Sequence, residues 1–450
     1  MRLKPFDFKL PQDEVKKKKR IIYSLSAILV IVIITIASSF AYYQSIEIQN
    51  PYNTSVGTFN NGDLILTVTI DGVDSQTFMP KTAGYAGVVT CDKSATGVWD
   101  NNAWTIAVSN LTQTKTTCNV DFIQAEVLKD AILAQGSGAL TIEAKGNPAF
   151  NVVPTSATSG LYATPDHYGT SYYYRGERGS LNNNLIFAGF QWKIVRINGD
   201  GSIRLIYNGT EAQFNSANTM NTTGTNTQIG TVTFNSLRTD NKYVGYMYSP
   251  SGTTASTSST QAQTNTNNST IKTYLDNWYA TQILTQGSSI TDKIVDNIFC
   301  NDRSIRSGSG AGTTVTNYKP YTRHYTNASN PTPTLLCEQQ NDRFTVADTT
   351  IGNGSLTYPV GLLSADEATY GGTTRDYYNT NQYLYTNQHF WLLSPDNYSG
   401  IDARVWYVYS DGKPNDGRVN DPLGARPSIN LASGTQVTGI GSATDPYRVV

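Results

Sequence analysis

Phe190-Gln191-Trp192-Lys193-Ile194-Val195-Arg196-Ile197, Asn198-Gly199-Asp200-Gly201 and Ser202-Ile203-Arg204-Leu205-Ile206-Tyr207 follow one another without a gap. Two runs of alternating apolar and polar side chains flank four residues of turn chemistry, which predicts a β-hairpin. Further along, residues 271–284 place Tyr274, Leu275, Trp278 and Ile283 at helical spacing, predicting a helix with an aromatic face. Ser364-Ala365-Asp366-Glu367-Ala368 reads as an N-cap followed by acids in a first helical turn. Residues 249–268 are rich in Ser, Thr, Gln and Asn, as in a surface loop. Residues 391–393 and 403–409 read as core strands, with Ser410-Asp411-Gly412 turning the chain. Arg426, in Gly424-Ala425-Arg426-Pro427, is expected in a buried or half-buried ion pair.

Moving toward the N-terminus, residues 63–70, 105–108 and 118–122 alternate as strands around Trp99 and Trp104. A small antiparallel β domain is expected over residues 44–124, acting as a spacer. Residues 125–135 carry Val127, Leu128, Ala131, Ile132 and Leu133 at helical spacing, and Gly136-Ser137-Gly138 stops them. Residues 125–150 are therefore expected to be a helical linker, with one large domain over 151–450. The earliest part is different. Residues 1–20 hold 8 basic and 3 acidic side chains, ending in the run Lys16 to Arg20, and form a basic tail. Residues 21–43, from Ile21 to Tyr43, contain no charge and as a helix would extend about 35 Å, enough to cross a bilayer.

This pattern predicts one transmembrane helix, with a cytoplasmic N-terminus and everything beyond it extracellular at the cell membrane. A cleaved signal peptide ending near Ser39-Phe40-Ala41 and a buried helix are the alternatives; the apolar run exceeds the length of an ordinary signal core. Overall the 450 residues carry 33 basic and 34 acidic side chains, a formal charge of -1, which argues against nucleic acid as a partner. Hydrophobic residues at 38% supply a core without implying several membrane spans. Cys91, Cys118, Cys300 and Cys337 allow three disulfide connectivities, and proximity favours 91 with 118 and 300 with 337. Zinc is disfavoured because there is no C-x-x-C and only His167, His324 and His389. Free thiols are the alternative if the host leaves its surface proteins unoxidised.

Several blocks occur in one order: residues 168–176, 187–201, Phe299-Cys300-Asn301-Asp302-Arg303-Ser304, Pro359-Val360-Gly361-Leu362-Leu363-Ser364, Phe390-Trp391-Leu392-Leu393-Ser394-Pro395, and Gly424-Ala425-Arg426-Pro427-Ser428-Ile429-Asn430-Leu431. Together they resemble a family of uncharacterised Gram-positive cell-surface domains with a C-type-lectin-like fold, akin to formylglycine-generating enzyme. The resemblance covers nearly two thirds of the chain. It implies an α+β, C-type-lectin-like C-terminal domain behind the small β domain and the transmembrane helix, and a scaffold more than an activity.

On such a scaffold the polar, aromatic-bearing segments 396–402 and 413–421 are expected to be ligand-binding loops. The candidate binding residues there and on the strand between them are Asp396, Asn397, Tyr398, Asp402, Trp406, Tyr407, Asn415, Asp416, Arg418 and Asn420. Tyr and Trp can stack on sugar faces while Asn and Asp bond hydroxyls; solvated turns are the plainer alternative. No enzyme is expected. The formylglycine-generating relatives need a cysteine pair late in the domain, and none follows Cys337. Asp166, His167, His324, Asp366 and Glu367 show no catalytic spacing. No cofactor is expected; calcium stays open through the Asp/Asn loops, although no EF-hand or lectin calcium motif occurs. The expected activity is adhesin-like binding of an extracellular glycan or protein receptor. The alternatives are a self-associating envelope component and, last, a cell-wall hydrolase.

Overall fold

The computed structural model describes residues 64–74, 85–93, 95–100, 105–111, 115–135, 148–214, 219–326, 330–375 and 377–450. The chain divides into two units, Met1–Gln124 and Ala125–Val450. In the first, four strands lie in the order Val73–Asp74, Leu64–Ile70, Thr116–Gln124, Tyr85–Cys91. Alternation along Thr116–Gln124 buries Thr116, Cys118, Val120 and Phe122 on one face. Cys91 faces Cys118 across the ladder and is bonded to it. The expected antiparallel domain is corrected in one respect. Leu64–Ile70 runs parallel to Thr116–Gln124, so the sheet is mixed, and strand alternation carries no information about direction.

The second unit is built outward from the predicted hairpin. Phe190–Ile197 and Ile203–Thr210 pair from Phe190 opposite Thr210 to Ile197 opposite Ile203. All eight residues of Phe190–Ile197 are buried, including the polar ones, and these are partnered. Gln191 bridges the carbonyl of Thr210 and the amide of Asn221, at 2.8 and 2.7 Å. The break in alternation at Ile194-Val195-Arg196 coincides with a register shift in the ladder, the extra residue of a bulge. This hairpin is the centre of a nine-stranded sheet, ordered Ser428–Leu431, Ile203–Thr210, Phe190–Ile197, Asn184–Phe187, Tyr447–Val449, Gln436–Thr438, Glu126–Val127, with Gly169–Arg175 and Gly160–Asp166 attached through Phe190–Ile197. A second, seven-stranded sheet centres on Phe390–Tyr398. A continuous apolar core includes side chains from both sheets.

Among the described residues strand outweighs helix, 36% against 18%, so the α+β expectation is corrected to a mostly β structure. The helices are short: Thr270–Gln282, capped by Ser269, has 13 residues, and Ala365–Gly371, with a Ser364/Glu367 capping box, has 7. The expected linker over 125–150 is also corrected. Glu126–Val127 pairs with Gln436–Thr438, and the following helix, Leu128–Ala134, buries Leu128, Ala131 and Ile132 in the core of the second unit. An amphipathic face needs a surface to cover, and here the domain's own sheet supplies it.

The single-pass anchor is not supported: among the described residues no helix is long and apolar enough to cross a membrane. The basic tail 1–20 and the apolar run 21–43 lie outside the described residues, and the cell-membrane location drawn from them is withdrawn. Both expected disulfides form, Cys91 with Cys118 and Cys300 with Cys337, and they fit an extracellular protein.

Candidate functional site

Several charged side chains inside the second unit pair with one another. Arg196 donates to Asp166 at 3.0 Å and to Glu367 at 3.1 Å, and Arg204 approaches Glu367 at 3.4 Å. Arg323 joins Asp302 at 2.9 Å to Asp366 at 2.8 Å. Burial alone would raise the Asp366 carboxyl, but Arg323 and then His324 outweigh it and hold it well below the usual carboxylate range. A void of about 20 Å³ among Asp166, His167, Arg196, Arg323, Asp366 and Glu367 is large enough for one water. His167 is held by the backbone of Cys337, whose N–H donates to its Nε2 at 2.8 Å. These acids and histidines therefore sit in a packed network that ties strand to helix. Arg426 departs from expectation: it has no ion pair among the described residues and instead donates to the carbonyls of Tyr207 and Leu384, at 3.0 and 2.8 Å, beneath Phe390.

The segments expected to be binding loops are largely strands. Phe390–Tyr398, Ala403–Val408 and Pro414–Arg418 form an antiparallel meander in which Trp406 faces Asp416 and Tyr407 faces Asn415. Asp396 and Trp406 are 0% exposed, and Tyr398, Asp402 and Tyr407 are also buried. Asp402 receives Arg238 at 2.8 Å and Arg418 at 3.3 Å, Asp416 receives Arg404 at 2.7 Å, and Asn420 accepts weakly from Arg238. Asn397 donates to Asp396 at 2.5 Å. Burial, and after it the charge of Asp416, pushes the Asp396 carboxyl well above the usual range. Of the ten candidates, Asn415 lines a cleft.

That cleft, about 410 Å³, is bounded by Arg375, Tyr378, Tyr409, Asp411, Lys413, Pro414 and Asn415. Its wall is the tip of the hairpin joining Ala403–Val408 to Pro414–Arg418. Tyr409 and Lys413 close the turn, Gly412 takes the positive φ of 88° that it requires, and Asp411 accepts from the amide of Lys413 at 2.9 Å. The tip is docked onto the preceding segment: Gln382 donates to the Gly412 carbonyl at 2.6 Å and the Asn379 backbone amide to the Asp411 carbonyl at 3.2 Å. Tyr378 is 71% exposed and Tyr409 38%. Lys413 lies 4.1 Å from the Tyr378 ring, and the His389 ring braces Tyr409 edge-on at 4.3 Å. Arg375 lies flat on Tyr325 at 3.7 Å, and Tyr325 in turn stacks on Tyr321 at 4.8 Å. Rigid aromatic faces beside amide, carboxylate and cationic groups can recognise a polar ligand that also has apolar faces.

The cleft falls inside a segment with a family match. Residues 331–433 match a domain of unknown function, DUF6273. The DUF6273 segment contains every cleft residue, Asp366 and Arg426, and all three strands of the meander. No curated protein and no solved structure matches the chain. The comparisons thus support the DUF6273 match alone, and the expected C-type-lectin-like fold and Gram-positive surface family gain no support from them. Sequence reading missed Arg375, Tyr378, Tyr409, Asp411, Lys413 and Pro414 as site residues. The signal available was the aromatic pair Tyr377-Tyr378 after Arg375, a cluster that a turn would expose.

Proposed function

We propose that the second unit is a non-catalytic binding module for an extracellular saccharide, engaged at the Tyr378–Tyr409 cleft. One observation carries this: two exposed tyrosines, with Asn415 and Asp411 beside them, border a concavity of about 410 Å³, within the size range of small-ligand sites. Tyrosine rings offer apolar area at low entropic cost to the C–H faces of a sugar, and amide and carboxylate groups take its hydroxyls. The two disulfides support a site that works outside the cell. No bound metal is required. Among the described residues no three His, Cys, Asp or Glu side chains are grouped to hold an ion, and Asp411 is the one carboxylate among the cleft residues.

A glycan array probed with the 450-residue chain, with and without chelator, tests the proposal. Saturable binding that falls at least about tenfold in Tyr378→Ala and Tyr409→Ala, with unfolding midpoints unchanged, is the expected result. Absence of saccharide binding together with concentration-dependent self-association would replace the module with a structural envelope component.

A further inference from the structure

Like Arg426, Arg375 has no carboxylate partner among the described residues, and it lines the cleft. Arg196, Arg303, Arg323 and Arg404 each meet a carboxylate within 3.1 Å. Arg375 is half-buried, makes no ion pair among the described residues, and has a buried Nη1 with no hydrogen-bond partner. Leaving such a donor unsatisfied is costly, and a ligand acceptor would relieve the cost. Its guanidinium carbon lies 3.7 Å from the centroid of the Tyr325 ring, which is itself stacked on Tyr321 at an interplanar angle of 13°. A guanidinium held by its face keeps its edge N–H groups for an in-plane acceptor, the geometry of bidentate oxyanion recognition.

The surrounding charges leave that position electropositive. Asp396 is fully buried, its carboxyl is pushed well above the usual range by burial and then by Asp416, and its Oδ1 lacks a partner. At the cleft, Lys413 pairs with Asp411 at 3.5 Å, both partly exposed, a contact worth little and easily exchanged. Among the described lining residues, Arg375 and Lys413 against Asp411 leave one positive charge in excess.

Resting on the saccharide-binding proposal above, we infer that the cleft selects an anionic saccharide, its oxyanion group seated on the edge of Arg375 with Lys413 as the second cation and Tyr378 and Tyr409 against the ring. The shared chemistry is an oxyanion on a sugar, whether a uronate carboxylate or a sulfate ester.

Isothermal titration of the 450-residue chain with oligogalacturonate and its methyl ester, and with dextran sulfate and dextran, separates these cases because each pair differs only in charge. The expected result is tighter binding of at least one anionic member than of its neutral partner, by about tenfold or more and weakening with salt. Arg375→Gln should bring the anionic ligand down to the level of the neutral one. Arg375→Lys, which keeps the charge and loses the fork, should recover only part of the preference. Preference within the first pair assigns a carboxylate, and within the second a sulfate. Equal binding of charged and neutral partners, still abolished by Tyr378→Ala, overturns the anion selectivity and leaves saccharide binding standing. Failure of all four ligands to bind a folded chain overturns both.

Discussion

Trp406 and Tyr398 show how a residue type can mislead. Both are aromatic, and Tyr398 lies among Asn and Asp, the composition of a binding surface, yet both are buried, and Trp406 packs edge-on against His324 at 5.6 Å. Trp406→Ala should therefore cost about 3–5 kcal/mol of stability in denaturant melts, and any loss of binding should follow unfolding. Asp396 offers a second test. Its native pKa is raised, so its stabilising contribution is full below the unfolded value, about pH 4, and is lost as pH rises through the native value. Asp396→Asn should flatten that decline, gaining stability relative to the parent as pH rises; parallel pH-stability curves would contradict the assignment. The burial of Trp406 was legible in the core strand read over 403–409, whereas that of Tyr398 was not, because a strand covered on both faces has no polar side to mark its solvent face.

At the scale of elements, what was legible depended on whether the signal was local. The hairpin Phe190–Ile197 with Ile203–Thr210, the helix Thr270–Gln282 and the Ser364 cap were all readable, since each is written in a few adjacent residues. The parallel pairing of Leu64–Ile70 and the docking of Leu128–Ala134 onto the large sheet were not, since both depend on partners distant in sequence. The disulfides belong to this scale. Cys300–Cys337 closes a loop of sequence separation 37 beside the buried ion-pair network. Cys300→Ser with Cys337→Ser should destabilise the second unit by about 2–5 kcal/mol, read as a lowered denaturant midpoint. An unchanged midpoint would mean that the ion pairs and the apolar core suffice.

For the whole molecule, the candidate site was half visible. Asn415 was found from its residue type, whereas Arg375, Tyr378 and Tyr409 come together only because the hairpin tip at Gly412 docks on the segment around Asn379 and Gln382. This convergence sets an exposed aromatic cleft on a mostly β scaffold. The most direct test of the account is amide hydrogen exchange of the 450-residue chain with and without a saturating saccharide ligand. Added protection should be confined to the peptides around Tyr378 and from Tyr407 to Asn415, with none across the hairpin at 190–207. Protection elsewhere, with the cleft unchanged, would contradict the assignment of the site.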